Sequence, residues 1–311
     1  MKSSICLYSS YVSGDGIPYY VRYYLEQLRP HFERIIYLTN EREIQTEALT
    51  YLASQDIELL KVKNEGYDFG MWFKAIQKLE SELKQPLYQS FSKVGLVNDS
   101  CILFKDLNRD FAEIEETDAS YHGMVLSDRY ATHLQSFFLV IRNEAIQVLA
   151  DYFHRNGIVS DYRKVIQQYE IGLTQEMIRC GIEIHSLYNN QNRSFHKNPS
   201  FALVKDLIEE GMPLIKKKIV FRNYRGLEYY WVVRMDFDTD YRKYFRSIQK
   251  KYGNNTIDLN LVMADAPRKG NVDLWLFACA RSIVHLVKLL PGCRFVFYKL
   301  LSFYKRYIRK A

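Results

Sequence analysis

Val94-Gly95-Leu96-Val97-Asn98-Asp99-Ser100 is the stretch that decides the fold. Its first four residues form a short, uncharged, apolar run of the kind that makes a buried strand. Its last three favour turns and stop the strand abruptly. Upstream, the same change from apolar run to polar end recurs. Ile5 to Val12 reads as a buried strand closed by Ser13-Gly14-Asp15-Gly16. Pro18 suits the first turn of a helix that continues to about Leu28. Ile35-Ile36-Tyr37-Leu38 is a second strand, and Ile44 to Ala53 a second helix. Ile57-Glu58-Leu59-Leu60-Lys61-Val62 is a third strand, followed by Asn64-Glu65-Gly66-Tyr67-Asp68-Phe69-Gly70 and a helix through about Leu83. Strands alternating with helices predict an α/β fold, a parallel sheet covered on both faces.

Beyond residue 118 the pattern changes. Tyr121 to Val125 and Gln135 to Ile141 read as strands of a mixed sheet, with a helix from about Asn143 to Arg155 after them. Tyr162 to Cys180 reads as one further helical stretch, capped by Gly181. The expected organisation is one domain over 1–270, with halves 1–118 and 119–270, and a tail over 271–311. From Leu274 onward the tail has no Asp or Glu, while Arg281, Lys288, Arg294, Lys299, Lys305, Arg306, Arg309 and Lys310 punctuate an apolar, aromatic run. The apolar runs are too short and too charged to span a bilayer. A basic amphipathic helix lying on an anionic membrane surface fits this pattern, as does a helix docked on the core with a solvated basic face.

Composition narrows the class. The chain has 311 residues, 48% hydrophobic and 25% charged, which suits a folded protein with a sizeable core. Its net charge of +7 admits nucleic acid, anionic lipid or phosphorylated ligands as partners. Outside the tail, however, Lys and Arg nearly balance Asp and Glu, which argues against nucleic acid. Five scattered cysteines without a CxxC pair indicate neither a zinc site nor a disulfide framework, and fit a reducing compartment. Met1-Lys2-Ser3-Ser4 runs straight into a strand without the apolar core of a signal peptide, so a cytoplasmic setting is expected. GxxxxGK(S/T), GxGxxG and GxSxG patterns are all absent.

Parallel sheets bind ligands at the carboxyl ends of their strands. Here those ends are Ser9 to Gly16, with Ser9 and Tyr11 at the rim, Asn64 to Gly70, and Asn98 to Ser100. Asp99 is a carboxylate that can ligate a hard divalent ion and a diphosphate with it; it is equally a turn residue or helix cap. Gly66 and Gly70 let backbone approach a ligand, and Asp68 offers a carboxylate to a ribose or base, or else caps the helix that starts there. Phe69 and Trp72 either wall such a pocket or pack in the core. Glu170, in Tyr169-Glu170-Ile171-Gly172, is a candidate general base or an exposed helical glutamate. His133-Leu134-Gln135-Ser136-Phe137-Phe138 brings His133 as a second candidate base and Gln135 as a partner for sugar hydroxyls. His196-Lys197-Asn198-Pro199-Ser200 is either a phosphate-facing segment or a surface turn, and His196 is a second candidate metal ligand.

Taken in order, the segments Asn64 to Gly70, Asn98 to Ser100, His133 to Phe138, Tyr169 to Thr174, Asn198 to Ser200 and Gly211-Met212-Pro213-Leu214-Ile215-Lys216 resemble the rhamnan synthesis protein F family of bacterial polysaccharide glycosyltransferases. The resemblance spans roughly residues 4 to 222. It implies a GT-A-like nucleotide-diphospho-sugar transferase domain, moving a sugar such as rhamnose or another hexose to a growing cell-surface glycan. It implies Glu170 as the base of an inverting reaction and Asp68 as a holder of the nucleotide. It further implies a polyprenyl-diphosphate-linked saccharide as acceptor and a peripheral place on the cytoplasmic face of the inner membrane. Enzymes of this fold usually hold Mn2+ or Mg2+ on an Asp-x-Asp motif; Asn98-Asp99-Ser100 keeps one carboxylate of the two. That departure leaves open a second reading, a glycan-assembly or sugar-binding protein without catalysis.

Overall fold

A computed structural model of the chain describes residues 3–11, 16–40, 43–63, 65–189 and 198–218. His196 and the tail over 271–311 lie outside the described residues. The first half is built from β1 (Ser3–Ser10), α1 (Tyr19–Leu28), β2 (Arg34–Asn40), α2 (Thr46–Ser54), β3 (Ile57–Val62) and α3 (Tyr67–Leu83). It continues through α4 (Leu87–Ser90), β4 (Phe91–Asn98), β5 (Cys101–Leu103) and α5 (Asn108–Glu116). The second half comprises β6 (Tyr121–Ser127), β7 (His133–Leu134), β8 (Phe138–Arg142), α6 (Ala145–Asn156), α7 (Tyr162–Val165), α8 (Gly172–Arg179) and β9 (Ile184–Tyr188). The short α9 (Pro199–Ala202), α10 (Val204–Glu209) and β10 (Leu214–Lys216) follow.

Eight strands form one sheet in the order β3-β2-β1-β4-β8-β6-β7, with β9 on β6. β1 runs parallel to β2 and β4, and β2 parallel to β3. The α/β class and the mixed, parallel-rich sheet expected of a GT-A-like domain are what the structure has. β1 is buried along nearly its whole length because it lies inside the sheet. Alternate residues serve opposite faces. Ile5 and Leu7 join the core made with α3 and α6, while Tyr8 stacks on Tyr37 and meets Tyr24 of α1 edge to face. β3 closes the sheet, and its exposed Glu58 and Lys61 suit an edge that must not recruit further strands.

α3 is the helix that fixes the geometry below the candidate site. Phe69, Met71, Trp72, Phe73, Ala75, Ile76 and Leu79 are buried, each large side chain contributing on the order of 2 kcal/mol. Trp72 donates its indole N–H to the Leu7 carbonyl at 3.1 Å, which locks the helix to β1. Phe69 stacks on Tyr169 with ring centroids 5.1 Å apart. Both aromatics therefore belong to the core and do not wall a pocket. Gly66 takes φ +76° at the N-cap, and a Cβ on Gly70 would stand 1.7 Å from the Glu65 carbonyl oxygen. These two glycines let the chain turn from β3 into α3 within a few residues.

The second half departs from the sequence reading in two places. The apolar run Gln135 to Ile141 is not one strand. β7 pairs with Leu126 and Ser127 of β6, β8 pairs with Tyr121 to Gly123 and with β4, and Gln135 to Phe137 cross between them. Alternation of apolar residues does not report such a break, because both pieces are buried. The stretch Tyr162 to Cys180 is not one regular helix either: Ile166–Ile171 is π-helical between α7 and α8. The predicted Gly181 cap is present, in the left-handed conformation at φ +76°. No helix among the described residues is long and apolar enough to cross a membrane.

Candidate functional site

Ser9, Asp68, Asn98 and Asp99 meet at the carboxyl ends of β1 and β4. The register Ser9↔Asn98 puts two polar residues side by side at the end of neighbouring parallel strands. Asp68, in the first turn of α3, makes no capping hydrogen bond. Its carboxylate instead accepts from Ser9 Oγ at 2.9 Å and from Asn98 Nδ2 at 2.9 Å. Asn98 turns its Oδ1 to the Ser100 N–H at 3.0 Å, an Asx turn that directs the chain out of β4. The Asp99 N–H donates to the Ser9 carbonyl at 3.0 Å, and its Oδ2 accepts from Ser10 Oγ at 3.0 Å and from the Tyr20 hydroxyl at 3.4 Å. Ser9, Ser10, Asn98 and Asp99 are all buried.

Two cations complete the cluster, and sequence reading misses both. β10 pairs antiparallel with β5, Lys216 opposite Cys101, and the Lys217 N–H donates to the Ser100 carbonyl at 2.9 Å. The Lys217 ammonium reaches Asp99 Oδ2 at 3.0 Å and the Tyr20 hydroxyl at 3.1 Å. Lys216 donates to Ser100 Oγ at 3.2 Å and stands 4.1 Å from the centre of the Phe137 ring. The only signal in the sequence is the run Lys216-Lys217-Lys218 after an apolar pair, which names no docking place.

Asp68 keeps part of its surface open, yet its carboxylate lies in a densely packed surround. Burial, helped by the nearby Asp99 charge, pushes its carboxyl up to about 6; Ser9, Lys216 and Lys217 oppose the rise. Burial also raises the Cys101 thiol, against the pull of Lys216.

The other predicted residues fall around this cluster rather than in it. Tyr11 is 59% exposed just past the end of β1. Gly66 packs against Ile158 and Val159, on the side of α3 that meets the second half. Gln135 is buried, and its Oε1 accepts from the Ser200 hydroxyl. Its neighbour Ser136 offers a carbonyl to Asn98 Nδ2 at 3.5 Å. His133 is buried on β7 with Nδ1 on the Ala131 carbonyl at 2.7 Å, so Nε2 carries the lone pair when the ring is neutral. Glu170 is half-buried in the π-helical segment. Its charge helps to raise the Tyr121 phenol, but no hydrogen bond or ion pair joins it to the cluster among the described residues. Tyr169 beside it stacks on Phe69, the residue after Asp68, and so ties the two segments together. Such π-helical turns concentrate at functional sites.

The surroundings of Asp99 leave little of its carboxylate open to a divalent ion. Oδ2 is already shared by Lys217, Ser10 and Tyr20, and no group of three or more His, Cys, Asp or Glu among the described residues is arranged to hold a metal.

Fold and cluster define an open α/β protein with a candidate ligand site at the carboxyl ends of its strands. The chain matches the family described as rhamnan synthesis protein F over residues 35–266, and belongs to it. None of the curated proteins compared with it matches. Likeness to solved structures is distant. A cytidylyltransferase from Leptospira borgpetersenii serovar Hardjo-bovis is 12% identical, with TM-score 0.39, over 83% of this chain and 99% of its own. A glycosyltransferase involved in glycosylation of the major capsid of PBCV-1 is 8% identical, with TM-score 0.33, over 69% and 92%. Glucosyl-3-phosphoglycerate synthase from Mycobacterium tuberculosis, in complex with uridine-diphosphate, is 9% identical, with TM-score 0.33, over 58% and 81%.

Proposed function

We propose that this chain is a glycosyltransferase of cell-surface polysaccharide synthesis, moving a hexose such as rhamnose from a nucleotide-diphospho-sugar to a lipid-linked saccharide. The observation that carries the reading is the meeting of Ser9, Asp68, Asn98 and Asp99 at the strand ends, in a member of a family named for rhamnan synthesis. In this reading the donor lies over the ends of β1 and β4, with its diphosphate beside Asp99 and its ribose or base toward Asp68. Glu170 takes the proton of the acceptor hydroxyl. The freed oxygen attacks the anomeric carbon in line, the bond to the diphosphate breaks, and the configuration inverts. Charge builds on the leaving diphosphate as the sugar approaches an oxocarbenium ion, so cations near it and acceptor activation both matter. The basic tail, without acidic residues from Leu274 onward, holds the chain on the cytoplasmic membrane surface, where a polyprenyl-linked acceptor resides.

Glu170 suits the role of base because it lies in the π-helical segment beside Tyr169, which stacks on Phe69 next to Asp68. Glu170→Gln is expected to lower turnover by about 100-fold while leaving the melting temperature unchanged, since a positioned base contributes that much. Release of nucleoside diphosphate from a panel of nucleotide sugars, with a lipid-linked saccharide present, is the measurement. Full turnover by the variant moves the base elsewhere, with His133 next in line. If no donor is turned over by the unaltered protein but nucleotide sugars still bind, the chain is a binding protein of glycan assembly. Truncation after residue 270 is expected to abolish binding to anionic liposomes without loss of donor binding.

A further inference from the structure

Lys216 is a half-buried ammonium with no carboxylate within ion-pair distance among the described residues. It rests on the Ser100 hydroxyl, the Cys101 thiol and an aromatic face, and acts on the Asp68 charge only at longer range. Taking an ammonium out of water costs free energy unless an anion compensates it. Lys217 beside it does have a carboxylate, and holds Asp99 through Oδ2. A divalent ion placed there would stand within a few Å of that ammonium, and the two like charges would repel strongly in this buried setting.

We infer that Lys216 and Lys217, with the hydroxyl of Ser100, seat the diphosphate of the donor and take over the charge-neutralising part of a divalent ion, so that diphosphate binding needs no metal. The inference rests on the glycosyltransferase reading and adds the donor-holding groups to it. The backbone makes the seat rigid: the β5–β10 pairing and the Lys217 N–H to Ser100 carbonyl bond hold both lysines over the end of β4. Asp99 and the Tyr20 hydroxyl then act on Lys217, fixing its ammonium from one side and leaving its third N–H donor for a phosphate oxygen. Ser100 Oγ, already beside Lys216, is a second donor to the same anion. As the diphosphate leaves, two ammonium groups face its growing charge, which is the stabilisation that sugar transfer requires.

The test is thermal shift and calorimetry of the whole chain with uridine, thymidine, guanosine and cytidine diphosphates, in EDTA and then in excess Mn2+. In EDTA at least one diphosphate is expected to raise the melting temperature, and its parent nucleoside to do so far less. Lys216→Ala is expected to weaken that diphosphate by about tenfold, as for one charge-assisted hydrogen bond. Lys217→Gln is expected to act similarly, the pair to lose about 100-fold, and Lys217→Arg to retain binding. Lys216→Ala breaks no ion pair among the described residues, so it carries the test if Lys217→Gln melts early without ligand. Diphosphate binding that appears only with Mn2+, or that Lys216→Ala leaves unchanged, overturns the lysine seat while leaving the glycosyltransferase reading standing. Absence of any nucleotide or nucleotide-sugar effect in either buffer overturns both.

Discussion

The two halves of the sheet are built on different terms. In β3-β2-β1-β4 every strand runs the same way, and each strand end is followed by a turn or helix start. Polar residues at those ends meet because the strands are in register. In β8-β6-β7 with β9 the pairing is mixed, a buried run breaks in the middle, and a helix carries a π-helical turn. Regular structure presents Asp68, Asn98 and Asp99; irregular structure presents Glu170, His133 and Gln135. The first kind of site tolerates little backbone change, whereas the second has side chains that can give way.

A pair of glycines tests that contrast most severely. A methyl group on Gly70 would meet the Glu65 carbonyl oxygen at 1.7 Å and its carbon at 2.7 Å, both backbone. Gly70→Ala is expected to cost more than about 3 kcal/mol, since the turn into α3 must open. In the second half, a methyl on Gly172 would meet the Tyr152 hydroxyl at 2.5 Å and, less tightly, the Gln167 carbonyl oxygen at 3.1 Å. That hydroxyl can move by giving up its bond to the Gln168 carbonyl, so Gly172→Ala is expected to cost about 1 kcal/mol. Urea midpoints of the two variants decide the matter, and equal losses would erase the difference drawn between the halves.

The next effect is confined to the second half. The Leu134 N–H on β7 finds its acceptor in the Thr174 hydroxyl of α8 at 3.2 Å, not in another strand. Both residues are fully buried. Thr174→Val keeps the shape and orphans that N–H, at an expected cost of about 1–3 kcal/mol. If denaturant unfolding is unchanged, β7 is not held by α8.

These contrasts also explain what could be read from the sequence. Ile35 to Leu38 and Val94 to Val97 betray their strands by composition, and the polar residues after them mark the rim. Whether Asp68 caps a helix or serves the rim depended on Ser9 and Asn98, 59 and 30 positions away, and local sequence carries no such information. Lys216 lies still further, 116 positions from Ser100, on a three-residue strand too short to leave a periodic trace. The break after Leu134 was hidden because Gln135 and Ser136 run straight into the apolar stretch Phe137 to Ile141 and read with it as one strand. The π-helical turn at Glu170 adds a residue to a helical pattern without altering which residue types compose it.

The finest comparison sets a carboxyl held within the parallel half against one that ties that half to the other. Asp68 belongs to the strand-end cluster of the parallel half. Asp110 of α5 is bound to the second half through the Tyr188 hydroxyl of β9 at 2.7 Å. Burial pushes both carboxyls up to about 6; the Asp99 charge adds to the rise at Asp68, and the Tyr188 hydrogen bond opposes it at Asp110. In the unfolded chain both titrate near 4. Between about pH 4 and 6 these two groups therefore bind more protons in the folded protein than in the unfolded one, and their contribution to stability falls as pH rises, while His122, pushed down to about 4 by burial, contributes the opposite slope. The stabilisation is complete below about pH 4 and is lost as pH passes 6, by roughly 1–2 kcal/mol for each group once solvent access is allowed for. Asp68→Asn and Asp110→Asn are each expected to remove one share of that slope, and the double variant both, because the two sites have no partner in common. Unfolding free energies measured at closely spaced pH values read this directly. A slope that Asp68→Asn leaves intact would return its carboxyl to the ordinary range, and with it the strand-end cluster to a solvated surface. A slope removed by Asp68→Asn alone would instead make the strand-end cluster, and not the contact of α5 with β9, the seat of this pH response.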